Sequence, residues 1–308
     1  SPQSLFDACA TMSPCASGLR SRNRPGPELR VPMSLYQAIL LALLQGLTEF
    51  LPVSSSAHLA LFPWLLGWPD QGLTFDIALH AGTLLAVLVY FAKDWWHLIL
   101  RGFGFRLPGA PEYIHENPRL LWWLAAATVP VGIVGFFLKD IVETTLRSPY
   151  YIGAMLILIG ILIGWADSRG KRNKQLGAIT LKDVLIVGCA QALAVIPGTS
   201  RSGITIATAL LRDLDRASAA RFSFLLSTPA IGGAAAKAFL DLYEAGGMEP
   251  GMGLFFLVGI GMSALSGVVV ISFFLRFLRQ NTLRFFVLYR IAFGIIVILL
   301  VILRPPAG

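Results

Sequence analysis

Long apolar runs separated by short polar stretches set the plan of this 308-residue chain. Residues 78–91, 120–138, 151–165, 254–275 and 285–303 are almost continuously apolar. Several of these runs reach the ~20 residues that a bilayer core demands of a helix. Six full spans are predicted, at about 76–92, 120–138, 149–166, 218–237, 252–275 and 285–303. Two further apolar segments behave differently. Residues 34–50 run to Pro52 and then meet Ser54-Ser55-Ser56; residues 183–196 run to Pro197 and then meet Gly198-Thr199-Ser200-Arg201-Ser202-Gly203. At ~1.5 Å per residue the second segment covers ~21 Å, short of a ~30 Å core. Each is followed by a second short helix, at about 57–66 and 203–211. Broken backbone at membrane depth survives only where protein buries it or water reaches it, so both segments read as re-entrant hairpins. The expected fold is an all-α polytopic membrane protein with six transmembrane helices and two re-entrant helix–loop–helix hairpins.

Composition and charge sharpen this picture. The chain is 56% hydrophobic and 14% charged, with mean hydropathy +0.70; a soluble domain carries about 25% charged residues. The net charge of +8 does not point to nucleic acid, because the basic residues sit between the apolar runs, where orientation signals belong. Loops 167–182 and 276–284 are basic, loop 238–251 holds Asp241, Glu244 and Glu249 without a base, and loop 93–119 is basic. The basic loops are expected in the cytoplasm, which puts both chain ends outside. The first hairpin then enters from outside and the second from inside. Residues 1–33, rich in Ser, Pro, Arg and Gly, read as a disordered tail, with Met33 an alternative start. Cys9, Cys15 and Cys189 lack metal-ligand spacing, and a disulfide framework is not expected.

The membrane domain, 34–303, divides into repeats at 34–166 and 183–303, each a hairpin followed by three spans in opposite orientation. Gln45-Gly46-Leu47 is similar to Gln191-Ala192-Leu193, and Phe50-Leu51-Pro52 before serines is similar to Val195-Ile196-Pro197 before Thr199 and Ser200. Inverted-topology repeats place a site near the midplane, built from broken helices.

The polar residues at these breaks carry the candidate chemistry. Gln45 and Glu49 are four apart and share a helix face; an ionisable Glu in an apolar segment marks a functional candidate, against the plainer reading of an interfacial Glu paired with Arg. Ser54, Ser55 and Ser56 precede a helix, where one Ser would serve as cap. Three, with His58 after them, suggest an anion site at a helix N-terminus beside a proton carrier. Thr199, Ser200 and Ser202 repeat the design with Arg201, suited to a bidentate phosphate grip, and with Gly198 allowing close backbone approach. A Glu49–Arg201 ion pair locking the hairpins together is compatible with such a site. Asp76, His80, Lys237 and Arg290 are lesser candidates, for which packing or pairing roles weigh at least as much. Trp95-Trp96 and Trp122-Trp123 read as interfacial belts.

The stretches Gln-Gly-Leu-Thr-Glu-Phe-Leu-Pro-Val-Ser-Ser-Ser-Ala-His at 45–58 and Pro-Gly-Thr-Ser-Arg-Ser-Gly at 197–203 closely resemble the signature motifs of the undecaprenyl-diphosphate phosphatase family, also called bacitracin-resistance proteins. Residues 75–80 resemble the family's following stretch, and Gln45 stands where a second carboxylate is common. The resemblance implies hydrolysis of undecaprenyl diphosphate to the monophosphate, the lipid carrier recycled for peptidoglycan synthesis. It also implies a bacterial plasma-membrane location with the site open to the outer side, and a divalent cation, usually magnesium, with Glu49 a candidate ligand. Carried over by motif, Glu49, Ser55, His58 and Arg201 match essential residues, and Gln45, Ser54, Thr199, Ser200 and Ser202 supporting ones. Ser56 and Gly198 complete the expected substrate-binding set. Partners are then the polyprenyl diphosphate and membrane lipids, with no nucleic acid, and self-association into a homo-oligomer stays open. Whether Ser55 is a nucleophile or a phosphate ligand also stays open. A polyprenyl-phosphate flippase or secondary transporter using the same residues is the rival reading, and a scaffold without chemistry ranks last.

Overall fold

The computed structural model describes residues 33–105, 108–244 and 251–303. Cys9, Cys15, Arg106, Glu249 and all of the expected tail except Met33 lie outside them. Among the described residues the structure is helical, apart from one isolated bridge between Lys174 and Leu214. Twelve α-helices follow in order: α1 Leu35–Phe50, α2 Ser55–Leu66, α3 Leu73–Tyr90, α4 Ala92–Gly102, α5 Glu112–Glu116, α6 Leu120–Thr144, α7 Pro149–Arg169, α8 Leu181–Gln191, α9 Arg201–Leu211, α10 Arg216–Glu244, α11 Gly253–Phe277 and α12 Arg284–Leu303. A 3-10 turn, Ala192–Val195, continues α8.

Among the described residues five helices are long and apolar enough to cross a membrane: α6, over Leu120–Leu138, and α7, α10, α11 and α12. The expected span at 76–92 is α3, and with α4 it would make a sixth, but the two meet at 77°. The bend keeps charge out of hydrocarbon, where it is costly: Lys93, Asp94 and Arg101 lie in α4, and Asp94 packs on Arg221 of α10. The stretch 93–119, expected as a loop, therefore holds the amphipathic helix α4 and the single turn α5. The apolar flanks of the bundle face outward, with Phe136 and Phe137 on α6 75% and 74% exposed. In water that surface would be an aggregation patch; in a multi-pass membrane protein it faces lipid.

The two broken segments begin alike. Ser34 caps α1 and Thr180 caps α8, each in a reciprocal capping box, with Gln37 and Asp183 respectively. Each box satisfies two backbone N–H groups that a helix start leaves free. Both segments end alike, at Pro52 and Pro197, which lack the N–H a continuing helix needs. Their packing partners are exchanged: α1 lies along α11 while α8 lies along α6, and α3 and α10 pack on each other and on α11 and α6 respectively. The close seams need glycine. A Cβ on Gly46 of α1 would stand 2.8 Å from the Ser263 carbonyl oxygen of α11, and one on Gly188 of α8 would strike the Ala127 carbonyl of α6.

Breaking a helix inside the bundle orphans its carbonyls, and Arg290 of α12 answers both breaks. It is fully buried and donates only to backbone. Its Nη1 bonds the Pro52 carbonyl at 3.2 Å, after α1. Its Nη2 bonds the carbonyls of Gly198 at 2.7 Å and Thr199 at 3.1 Å, after α8. The same guanidinium reaches Leu156 and Met155 of α7 at 3.2 and 3.5 Å. It solvates both broken ends and ties them to α7.

Two substitutions test this framework through the thermal midpoint of the detergent-solubilised protein. Gly188→Ala should destabilise by the roughly 1–3 kcal/mol of an overpacked contact; an unchanged midpoint would mean that α6 and α8 separate freely. Arg290→Lys, with three donors on one nitrogen, leaves carbonyls at both breaks unpaired at about 1–3 kcal/mol each. It should lower the midpoint further than Gly188→Ala, and parent-like stability would show that the carbonyls find other donors.

Candidate active site

The second helices of the broken segments start from matched turns. Ser54 (φ 77°) and Ser200 (φ 70°) both lie in the left-handed region, where a residue with a Cβ is uncommon and persists only if its surroundings impose it. Each caps the helix it precedes: Ser54 Oγ accepts from Ala57 N–H at 3.4 Å and Ser200 Oγ from Gly203 N–H at 3.1 Å. Each hydroxyl also lies 3.2 Å from that of the serine two residues on, Ser56 or Ser202. Gly198 (φ 89°) passes so near α7 that a Cβ would stand 2.7 Å from the Ile152 carbonyl oxygen. Ser55 and Arg201 are thereby the first residues of α2 and α9. Their backbone N–H groups precede the first intrahelical bond and are free for an acceptor.

Glu49, in the last turn of α1, joins the two turns. Its Oε1 accepts from Arg201 Nη2 at 2.9 Å. Its Oε2 accepts from Ser55 Oγ at 2.5 Å and from Gln45 Nε2 at 3.1 Å. Arg201 Nη1 is steadied by the Ser223 carbonyl at 3.1 Å, while its Nε, though buried, has no partner. Ser202 Oγ crosses to the Leu51 carbonyl at 3.0 Å. A cavity of about 280 Å³ opens onto this constellation. Glu49, Ser55, Ser56, His80, Ser200 and Arg201 are its polar lining; Ile77, Val131, Val195, Ile231 and alanines of α10 are its apolar lining.

The remaining sequence candidates fall in different places. Thr199 is fully buried with its hydroxyl unpartnered. His58 does not line the cavity. Its Nδ1 lies 2.6 Å from the Ser54 carbonyl and its Nε2 2.7 Å from the Tyr289 hydroxyl, and it stacks on Tyr289 and Phe293. It braces the first turn from behind. Asp76 accepts from Gln71 at 2.6 Å and faces Arg147 at 3.5 Å. Lys237 pairs with Asp241 on the surface of α10.

His80, a lesser candidate in the sequence, occupies the cavity. Its Nδ1 faces the Asp76 carbonyl at 2.7 Å; a carbonyl only accepts, which places the ring proton on Nδ1. Its Nε2 then points toward Glu49 Oε2, 3.6 Å away. The sequence signal was a histidine four residues after Asp76 in an apolar run; that α3 faces Glu49 could not be read from it. Tyr289 carried no signal beyond an aromatic beside Arg290.

No three His, Cys, Asp or Glu side chains gather as a metal cage among the described residues. The buried Gln45 amide oxygen, however, lacks a partner on the side chain adjoining Glu49. One carboxylate and one amide oxygen suit a hard cation that takes its other ligands from phosphate and water.

The profile described as "Bacitracin resistance protein BacA" matches residues 38–296. Among curated relatives, an undecaprenyl-diphosphatase of Desulforudis audaxviator is 48% identical over 88% of this chain and 100% of its own length. Another undecaprenyl-diphosphatase, from Trichlorobacter lovleyi, is 49% identical over 85% of this chain and 96% of its own. A third, from Magnetococcus marinus, is 46% identical over 86% and 98%. With that match across the spans and both broken segments, the chain belongs to the bacitracin resistance protein BacA family.

Proposed function

We propose that this protein is an undecaprenyl-diphosphatase of the bacterial plasma membrane. It hydrolyses undecaprenyl diphosphate to undecaprenyl phosphate and phosphate, recycles the lipid carrier for cell-wall synthesis and thereby confers bacitracin resistance. The observation that carries the reading is the cavity where Glu49, Ser55 and Arg201 meet and that apolar side chains also line. A diphosphate on a prenyl chain needs both the polar and the apolar lining of such a cavity.

Six spans with two re-entrant hairpins in an inverted repeat is the topology proposed with it. It is supported by the matched capping boxes, the matched left-handed serines and the exchanged packing partners. The basic loops then lie in the cytoplasm and the site opens outward.

Phosphoryl transfer depends mainly on positioning and charge stabilisation. The free N–H groups at the starts of α2 and α9 hold phosphate oxygens. Arg201, whose Nε is unpartnered, grips the terminal phosphate bidentately. Glu49 takes a proton from Ser55 Oγ, or from a water that Ser55 positions. The deprotonated oxygen bonds to the terminal phosphorus as the bond to the bridging oxygen breaks, and that oxygen leaves with undecaprenyl phosphate. On the Ser55 route, the proton on Glu49 passes to the departing undecaprenyl phosphate, and water then cleaves the phosphoserine, Glu49 taking the water's proton and returning it to Ser55 Oγ. His80 faces the same proton and holds the ring at the cavity that the family motif leads one to seek in His58. Magnesium, held by Glu49 and Gln45 with phosphate oxygens, would supply charge neutralisation.

Phosphate release from undecaprenyl diphosphate in detergent with magnesium tests the reading, because a transporter releases none there. Glu49→Gln should lower kcat by roughly 10²–10⁴-fold, the worth of a general base, and Arg201→Lys by about 10²–10³-fold, as for a lost charge-stabilising donor. A folded parent without turnover would move these residues to a headgroup site in a transporter. The histidines should separate: His80→Gln loses about a hundredfold in turnover at unchanged thermal midpoint, whereas His58→Gln lowers the midpoint by releasing Ser54 and Tyr289. Full activity in His80→Gln would remove it from the reaction.

A further inference from the structure

A second cavity, of about 260 Å³, lies on the face that carries the basic loops. It sits where the start of α10 meets the ends of α3 and α11, and Tyr90, Ser218, Arg221, Ser272, Arg276 and Arg279 form its polar lining. Ten residues of α10 separate Arg221 from Ile231 in the catalytic cavity, roughly 15 Å at 1.5 Å per residue, so the two are separate sites.

Four acids of this face are already engaged. Asp94 holds Arg221 at 2.9 Å, Asp167 holds Arg216 at 2.5 Å, and Asp183 holds Lys174 and Arg212 at 2.9 and 2.7 Å. Asp215 is taken by the N–H and hydroxyl of Ser218, at 2.9 and 2.7 Å. Arg221 is further fixed over the rings of Phe91 and Tyr113. The cavity lining contains no carboxylate, and Arg276 and Arg279 have no acidic partner within 4.0 Å among the described residues. Three guanidiniums and the Ser272 hydroxyl therefore converge with at most one charge cancelled, which is a donor set for phosphate. The neighbours identify the phosphate's source. Val89, beside Tyr90, and Val269 and Phe273, flanking Ser272, are 58%, 60% and 55% exposed. A polar phosphate pocket thus adjoins apolar surface of the membrane band, the arrangement that takes a phospholipid headgroup with its acyl chains alongside.

We infer that this cavity is a binding site for an anionic phospholipid, held by Arg221, Arg276 and Arg279 through its phosphate and independent of the catalytic site. Orientation signalling alone asks only for positive charge and not for a cavity, so lysine would serve it equally.

The test is saturation binding of fluorescent phosphatidylglycerol, against phosphatidylcholine, to the full chain in detergent. Phosphate release is followed in the same samples to certify the fold. The parent should prefer phosphatidylglycerol. Arg276→Gln with Arg279→Gln should bind it about 25-fold more weakly, from two basic residues at roughly fivefold each beside an anionic lipid, with turnover unchanged. Arg276→Lys with Arg279→Lys should also weaken it, through loss of the bidentate grip, whereas Arg169→Gln with Lys171→Gln, on the same face but away from the cavity, should not. Equal binding of the two lipids would overturn the inference. So would an undiminished preference in the glutamine variant, or displacement of the lipid by equimolar inorganic phosphate, which would make this a free-anion site.

Discussion

The fold depends on a single buried cation solvating two broken helices. Stopping α1 at Pro52 and α8 near Pro197 brings two helix starts into the interior, where they can meet an anion. It also leaves carbonyls without partners in a region that offers no water, where each orphan costs free energy. Arg290 resolves this with one side chain, bonding carbonyls from both breaks and from α7. A guanidinium suits the task because its planar donors point several ways at once. A buried carboxylate partner is unnecessary: the carbonyl dipoles at the ends of the broken helices are negative where Arg290 is positive. The adjacent Tyr289 extends the brace through His58 to the Ser54 carbonyl.

With the breaks fixed, the chemistry arises from a difference between them. The two turns match in their left-handed serines, caps and paired hydroxyls, yet the first presents Ser55 where the second presents Arg201. The first also offers Glu49 from the helix before it, where the second offers Val195 to the same cavity. Similar scaffolds thus contribute a carboxylate and hydroxyl from one side and a cation from the other. The Glu49–Arg201 pair closes the arrangement at 2.9 Å. Two buried charges that satisfy each other are stable as a pair and costly to leave alone, so the contact holds the two turns together.

Much of this was legible along the chain. Apolar run length gave the long helices to within a few residues, except α6, which continues to Thr144, and α10, whose polar ends extend it to Arg216–Glu244. Proline followed by serine marked both breaks, and the family motifs gathered Glu49, Ser55 and Arg201, which do share one cavity. What could not be read was relative rotation. His58 and His80 are both histidines in apolar helices, and nothing local says that α2 turns His58 toward α12 while α3 turns His80 toward Glu49. The bend between α3 and α4 was hidden for a related reason. The apolar run continues to Phe91, and only the packing of Asp94 against Arg221 of a distant helix shows where the chain turns aside.

The distribution of charge gives the two ends of the bundle different characters. On the basic-loop face Asp94, Asp167 and Asp183 each lie against arginine or lysine from another segment. Such pairs, 19–35% exposed on the cationic side, gain little over water individually, but they connect α4, α7, α8, α9 and α10 through side chains rather than apolar area. That suits a protein whose helices meet lipid on their flanks, where apolar contact alone gives no preference for protein over bilayer. Deeper in, the polar groups turn to the two breaks, and the energetic load passes from ion pairs at the surface to carbonyls around Arg290 and to the single Glu49–Arg201 contact. The active cavity is thus held from behind by backbone bonds that no substrate can reach, while the charged groups facing it stay available to exchange partners.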